Sequence, residues 1–164
     1  MAENNTLRVL SPLSGQAVAL DQVPDEVFSQ RVLGDGMAIV PTEGRIYSPV
    51  DGEISSVAET KHAYGFTSDD GLEVLVHFGL ETVALKGEGF TPRVKEGDKV
   101  KAGDLVAEVD LALLNGKGIN LITPVLVCDG ADGCAMEAAS GPVKPGDPVL
   151  TLTAEAAPEE APAP

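Results

Sequence analysis

Two histidines, His62 and His77, are the only ones in this chain of 164 residues, and they stand fifteen positions apart in "ETKHAYGF" (59–66) and "LVHFGLETVALKGEGF" (75–90). Two adjacent imidazoles support two kinds of chemistry. Neutral imidazole is a common metal ligand. A catalytic zinc, however, needs a third protein ligand at a recognisable spacing, and no H-E-x-x-H, H-x-H or H-x-x-x-D surrounds either residue. The other chemistry is phosphoryl transfer, with one ring nitrogen as nucleophile and the second imidazole balancing charge on the transferred group. At an effective dielectric of roughly 20, unit charges about 4 Å apart interact by about 4 kcal/mol, so a protonated second ring would matter. Spacing and periodicity leave both options open. Thr60, two residues before His62, shares its strand face and has a hydroxyl able to orient the ring.

Nucleotide and hydrolase signatures are missing from the sequence. "GDG" (34–36) and "GEG" (87–89) are isolated fragments, and neither a G-x-G-x-x-G, a Walker lysine motif nor a G-x-S-x-G is present. If phosphate chemistry occurs, the phosphate arrives on a partner rather than on a bound nucleotide.

The elements that must hold the histidines follow from periodicity. In residues 71–81 the even positions Leu72, Val74, Val76, Phe78 and Leu80 are all apolar. Alternate residues of a strand share a face, so these five point to the core. His77 falls on the opposite face with Leu75, Glu73, Glu81 and two glycines, in surroundings expected to be open. The spacing from 62 to 77 fits strand, turn, strand, which would bring the rings to one end of a hairpin.

Elsewhere the chain reads as short strands and turns. "SPLSGQAVAL" (11–20) and "SPVDGEISSV" (48–57) echo each other, as do "VKEGDKV" (94–100), "VKAGDLV" (100–106) and "VKPGDPV" (143–149). In the second set Gly-Asp supplies a positive-φ turn between strands. Three brief helices are expected: 23–33, 110–116 with Asp110 as cap, and "AMEAAS" before Gly141. Regular short strands with 18 Gly, 12 Pro and no Trp predict an all-β, antiparallel β-sandwich or barrel-like domain with short peripheral helices. The domain is expected over 7–153, with residues 1–6 and the Pro-, Ala- and Glu-rich tail 154–164 disordered.

A formal net charge of −15 repels phosphate backbones, which argues against nucleic-acid binding and favours a basic protein partner. The N-terminus shows no secretory signal, and no run reaches the about 18 apolar residues of a membrane helix. A cytoplasmic location without direct membrane insertion is expected. Cys128 and Cys134 match no standard zinc spacing and read as ordinary reduced cysteines.

Residues 75–90, with "SPLSGQAVALDQVPDEVFSQRVLGDGMAIVP" (11–41), "SPVDGEISSVAETKHAYGFTSDDGLEVLVHFG" (48–79) and "VKEGDKVKAGDLVAEVD" (94–110), resemble the glucose-type enzyme IIA (type-1) domain of the bacterial phosphoenolpyruvate:sugar phosphotransferase system. The resemblance runs from about Leu7 to Leu152. It implies an antiparallel β-sandwich and a phosphotransferase component that works without a cofactor, as a monomer. His77 would accept a phosphoryl group on Nε2 from the phosphohistidine carrier HPr, forming a tele-phosphohistidine. The Gly79 carbonyl would hold His77 Nδ1, His62 would stabilise the phosphoryl group, and Thr60 would orient His62. The group would then pass to a cysteine of a sugar-specific enzyme IIB, coupled to sugar entry through enzyme IIC. Asp25, Val27, Leu33, Leu75 and Glu81 would form the docking face. The resemblance also implies an alternative role, a regulatory module whose unphosphorylated form controls permeases or kinases. No intrinsic metal is implied, only a zinc shared by His62 and His77 with a partner's carboxylate.

Overall fold

The computed structural model describes residues 6–30, 34–80, 86–129 and 134–154. Its strands are β1 (Thr6–Leu10), β2 (Gly15–Ala19), β3 (Asp35–Pro41), β4 (Arg45–Tyr47), β5 (Gly52–Val57), β6 (Ala63–Ser68) and β7 (Glu73–His77). They continue with β8 (Phe90–Pro92), β9 (Lys99–Val100), β10 (Leu105–Val109), β11 (Thr123–Asp129), β12 (Cys134–Ala138), β13 (Gly141–Val143) and β14 (Pro148–Ala154). Eight of them form one sheet in the order β13-β2-β3-β11-β7-β6-β5-β9, and two three-stranded sheets, β1-β14-β12 and β4-β10-β8, complete the fold. Every strand pairing is antiparallel. All three sheets contribute to one apolar core, including Leu150 and Leu152 of β14, Ile46 of β4, Phe66 of β6 and Val76 of β7. This is the expected all-β sandwich.

The sequence echoes become matched structural corners. Asp98, Asp104 and Asp147 each accept from the backbone N–H of the lysine three residues earlier, at 2.9, 2.9 and 3.0 Å. Gly97, Gly103 and Gly146, at φ of 95°, 93° and 96°, occupy the left-handed position that an L side chain rarely adopts. Each Ser-Pro segment docks on one such corner. Ser11 donates its N–H to the Asp147 carbonyl and Ser48 donates to that of Asp104. Both serine hydroxyls are buried and donate two residues onward, to the carbonyls of Leu13 and Val50. The repeats therefore seal matching corners of the sandwich, satisfying backbone groups that burial would otherwise leave unpaired.

The helices are slighter than periodicity implied. Of 23–33 only α1 (Glu26–Ser29) is helical, after a 3-10 turn at Leu20–Gln22, and 31–33 lie outside the described residues. α2 (Leu111–Gly116) forms as expected, with the Asp110 carboxylate accepting from Leu113 N–H at 3.1 Å. "AMEAAS" is not a helix: residues 134–138 form β12 and pair with β14 from Cys134↔Ala154 to Ala138↔Leu150. Alanine's helix preference amounts to tenths of a kcal/mol per residue, less than an edge strand gains by completing a sheet. Thr6 and Ala154, one residue outside the expected domain limits, also lie in strands, opposite Thr153 and Cys134. Residues 1–5 and 155–164 lie outside the described residues.

Candidate active site

β7 shows the period predicted for it: Val74 and Val76 are buried, and Glu73, Leu75 and His77 are half-buried on the other face. β6 runs antiparallel beside it with Ala63 opposite His77, and Phe78 N–H donates to the His62 carbonyl at 2.8 Å, extending the ladder past the strand end. His62 belongs to the short β5–β6 connection, where Ala58 and Ala63 bond across the turn and Lys61 takes a φ of 64°. Both histidines thus sit at one end of adjacent strands. Their ring centroids are 4.7 Å apart and their planes cross at 78°.

Each ring has its Nδ1 engaged. His77 Nδ1 lies 2.8 Å from the Gly79 carbonyl oxygen, which fixes the proton on Nδ1 because a carbonyl only accepts. His62 Nδ1 lies 2.6 Å from Thr60 Oγ1. Neither Nε2 is hydrogen-bonded among the described residues. Gly79 adopts φ 76°, where a side chain would cost roughly 1–2 kcal/mol, and this conformation turns its carbonyl back onto the ring two residues earlier.

The surroundings are less open than the flanking glycines implied. Phe28 of α1, only 4% exposed, packs on His77 with centroids 5.0 Å apart. It belongs to a second, smaller apolar cluster on the outer face of the large sheet, with Leu20, Val23, Ala38, Leu80, Ile122 and Leu126. His62 is itself 6% exposed. Burial dominates both titrations, since removing an imidazole from water disfavours its charged form. His62 is lowered to about 4, first by burial and then by His77, against a weaker opposing hydrogen bond at Thr60. His77 is lowered by burial, partly offset by its backbone hydrogen bonds, foremost to Gly79, and by the Asp25 carboxylate. Both shifts favour the uncharged ring, against the unit charge considered from sequence.

The expected docking residues divide. Leu75 packs partly buried against the outer cluster, opposite Gly65 on β6 and Leu126 on β11. Asp25 stands at the start of α1, accepting from Phe28 N–H at 3.0 Å and Ser29 N–H at 2.9 Å, close enough to act on His77. Val27 lies within α1 but its side chain is outside the described residues, as are Leu33 and Glu81 altogether. Sequence reasoning missed Phe28, although it is one of only four phenylalanines and ends the acidic segment "VPDEVF".

Among the described residues no group of three or more His, Cys, Asp or Glu side chains is placed to hold a metal ion. Two surface hollows, one at 42–45 with 108–111 and one around Asp51 and 68–70, are lined by neither histidine. No helix of the described residues is long and apolar enough to cross a membrane.

Comparison with known proteins places the sequence and the fold. Residues 7–132 match the family model of the phosphoenolpyruvate-dependent sugar phosphotransferase system, EIIA 1. The chain is 43% identical over 150 residues to the PTS system glucose-specific EIIA component of Haemophilus influenzae, covering 90% of each chain. It is 47% identical over 126 residues to the component of the same name from Bacillus cereus, covering 77% of this chain and 76% of that one. Its fold superposes on the glucose permease IIA from Mycoplasma capricolum with a TM-score of 0.84 at 38% identity, covering 91% of this chain and 97% of the other. Fold and sequence likeness agree: this chain belongs to the EIIA 1 family of the phosphoenolpyruvate-dependent sugar phosphotransferase system.

Proposed function

We propose that this protein is a phosphohistidine carrier, with His77 Nε2 taking a phosphoryl group from phosphorylated HPr and passing it to a cysteine of a sugar-specific enzyme IIB. The observation that carries the reading is the pair of imidazoles 4.7 Å apart, each anchored through Nδ1. With its proton held at Nδ1 by Gly79, the ring presents the Nε2 lone pair for attack. In the first step the donor's P–N bond breaks, its electron pair stays on the donor nitrogen, and the His77 Nε2–P bond forms. In the second a cysteine thiolate of enzyme IIB attacks phosphorus and His77 Nε2 recovers its lone pair, so the ring ends as it began.

His62 assists as a neutral donor. When Thr60 Oγ1–H donates to His62 Nδ1, the proton of that ring sits on Nε2, able to bond an oxygen of the transferred group. The lowered titration of His77 favours an unprotonated nucleophile at neutral pH. Asp25, Leu75 and Phe28 surround the rings with one carboxylate and an apolar rim, matched to a partner bearing arginine beside its own histidine. Specificity for sugar resides in enzymes IIB and IIC. The glucose-specific names of the two relatives make glucose the first sugar to test.

Incubation with phosphoenolpyruvate, enzyme I and HPr is expected to add one acid-labile phosphoryl group per chain by mass spectrometry, and none to His77→Gln. Absence of incorporation, or equal incorporation in the variant, overturns the proposal.

A further inference from the structure

Within the apolar run "LITPVLV" (121–127) a single hydroxyl side chain, at Thr123, opens β11. Thr123 is fully buried and has the parity of Val125 and Val127, both members of the main core. A valine of the same shape would suit such a position better, because a buried hydroxyl costs free energy unless it is hydrogen-bonded. Here it makes two bonds. Thr123 Oγ1 donates to the Leu121 carbonyl at 2.9 Å and accepts from Gly79 N–H at 3.3 Å. The next peptide is tied to the same segment, since Leu80 N–H donates to the Asn120 carbonyl at 2.9 Å. Both peptide planes flanking Gly79 are thus fastened to residues 120–123. The second of these planes carries the Gly79 carbonyl, which, with Gly79 at φ 76°, accepts from His77 Nδ1.

We propose that Thr123 is a positioning residue for His77: by holding the peptide before Gly79 it fixes the φ at which the following peptide turns the Gly79 carbonyl onto the ring, which keeps the proton of His77 on Nδ1 and Nε2 free to react. Its role in phosphoryl transfer rests on the reading of His77 as phosphoryl acceptor, but its effect on the ring does not. Without the hydroxyl, the Gly79 N–H loses its buried partner, the peptide before Gly79 is free to turn, and the Gly79 carbonyl is placed only through the Leu80 N–H bond to Asn120. The carbonyl then leaves the imidazole plane, and the tautomer with hydrogen on Nε2, which cannot attack phosphorus, gains population.

The test uses the full chain carrying Thr123→Val and Thr123→Ser, labelled with nitrogen-15 for NMR of the imidazole. In the native protein His77 is expected almost wholly as the Nδ1–H tautomer. Thr123→Val is expected to raise the Nε2–H form to a measurable fraction and to slow phosphoryl uptake from phosphorylated HPr roughly tenfold in kcat, with KM little changed. Thr123→Ser, which keeps the hydroxyl, restores both. A folded Thr123→Val chain with native tautomer populations overturns the inference, as does failure of serine to restore them. Should valine prevent folding, Thr123→Ala supplies the same reading. Because the tautomer is measured without any phosphoryl donor, failure of the transfer assay in the native protein refutes the carrier reading and leaves this result intact.

Discussion

The two faces of the large sheet use the same strands to opposite ends. On the inner face, Tyr64, Phe66, Val74 and Val76 meet the three-stranded sheets in a core whose side chains are excluded from water. On the outer face, among the described residues, Leu75 and His77 meet a short helix and a handful of residues from 18–28, 38, 80, 122 and 126. The inner face gives the domain its stability. The outer cluster is smaller among the described residues, yet burial on that side shifts the titration of both imidazoles, with His62 buried and His77 half-buried. β7 divides its alternate residues between those tasks.

Truncating each face should separate the tasks. Phe66→Ala, at a fully buried inner position, is expected to destabilise the fold by about 3–5 kcal/mol in denaturant unfolding, with little change in transfer rate per folded molecule. A similar loss of transfer would show that the faces are not separable. Second in size is a pH effect confined to the outer face. His62 titrates near 4 when folded, below its ordinary 6.5, so below pH 6.5 the unfolded chain binds a proton that the folded one refuses. Its stabilising contribution is full above about pH 6.5 and is lost as pH falls towards 4, a change of about 3 kcal/mol. His77, also lowered, acts in the same direction. His62→Gln should flatten the pH dependence of unfolding free energy across this window, and an unchanged slope would contradict the burial assigned to the ring. The smallest stability effect belongs to Leu75→Ala, about 1 kcal/mol for a half-buried side chain, with a rise in KM for phosphorylated HPr of roughly tenfold. An unaltered KM would remove Leu75 from the docking face.

How far this division is legible in the sequence depends on the range of the interaction. The parity of 72–78 separates His77 from the core because a strand's period is two, whatever it packs against, but it fails at Leu80, which lies past the end of β7 and joins the outer cluster instead. The Gly-Asp corners are equally local, which is why all three repeat the same hydrogen bond. Phe28 on His77 and Thr123 on Gly79 join residues 49 and 44 positions apart, and only the sheet order makes them neighbours. Periodicity cannot show such contacts, although a lone threonine in "LITPVLV" and a scarce phenylalanine beside acids were signals available to be used. Residues 134–138 misled for the opposite reason: local helix preference is weak, and pairing with β14 overrides it.

Phosphorus–nitrogen correlation NMR on the phosphorylated, nitrogen-15-labelled protein bears most directly on the division of labour between the two rings. Coupling of phosphorus to Nε2 of His77, with the Nδ1 proton of that ring retained, is the predicted result. Phosphorus on His62, or on Nδ1 of His77, would contradict it.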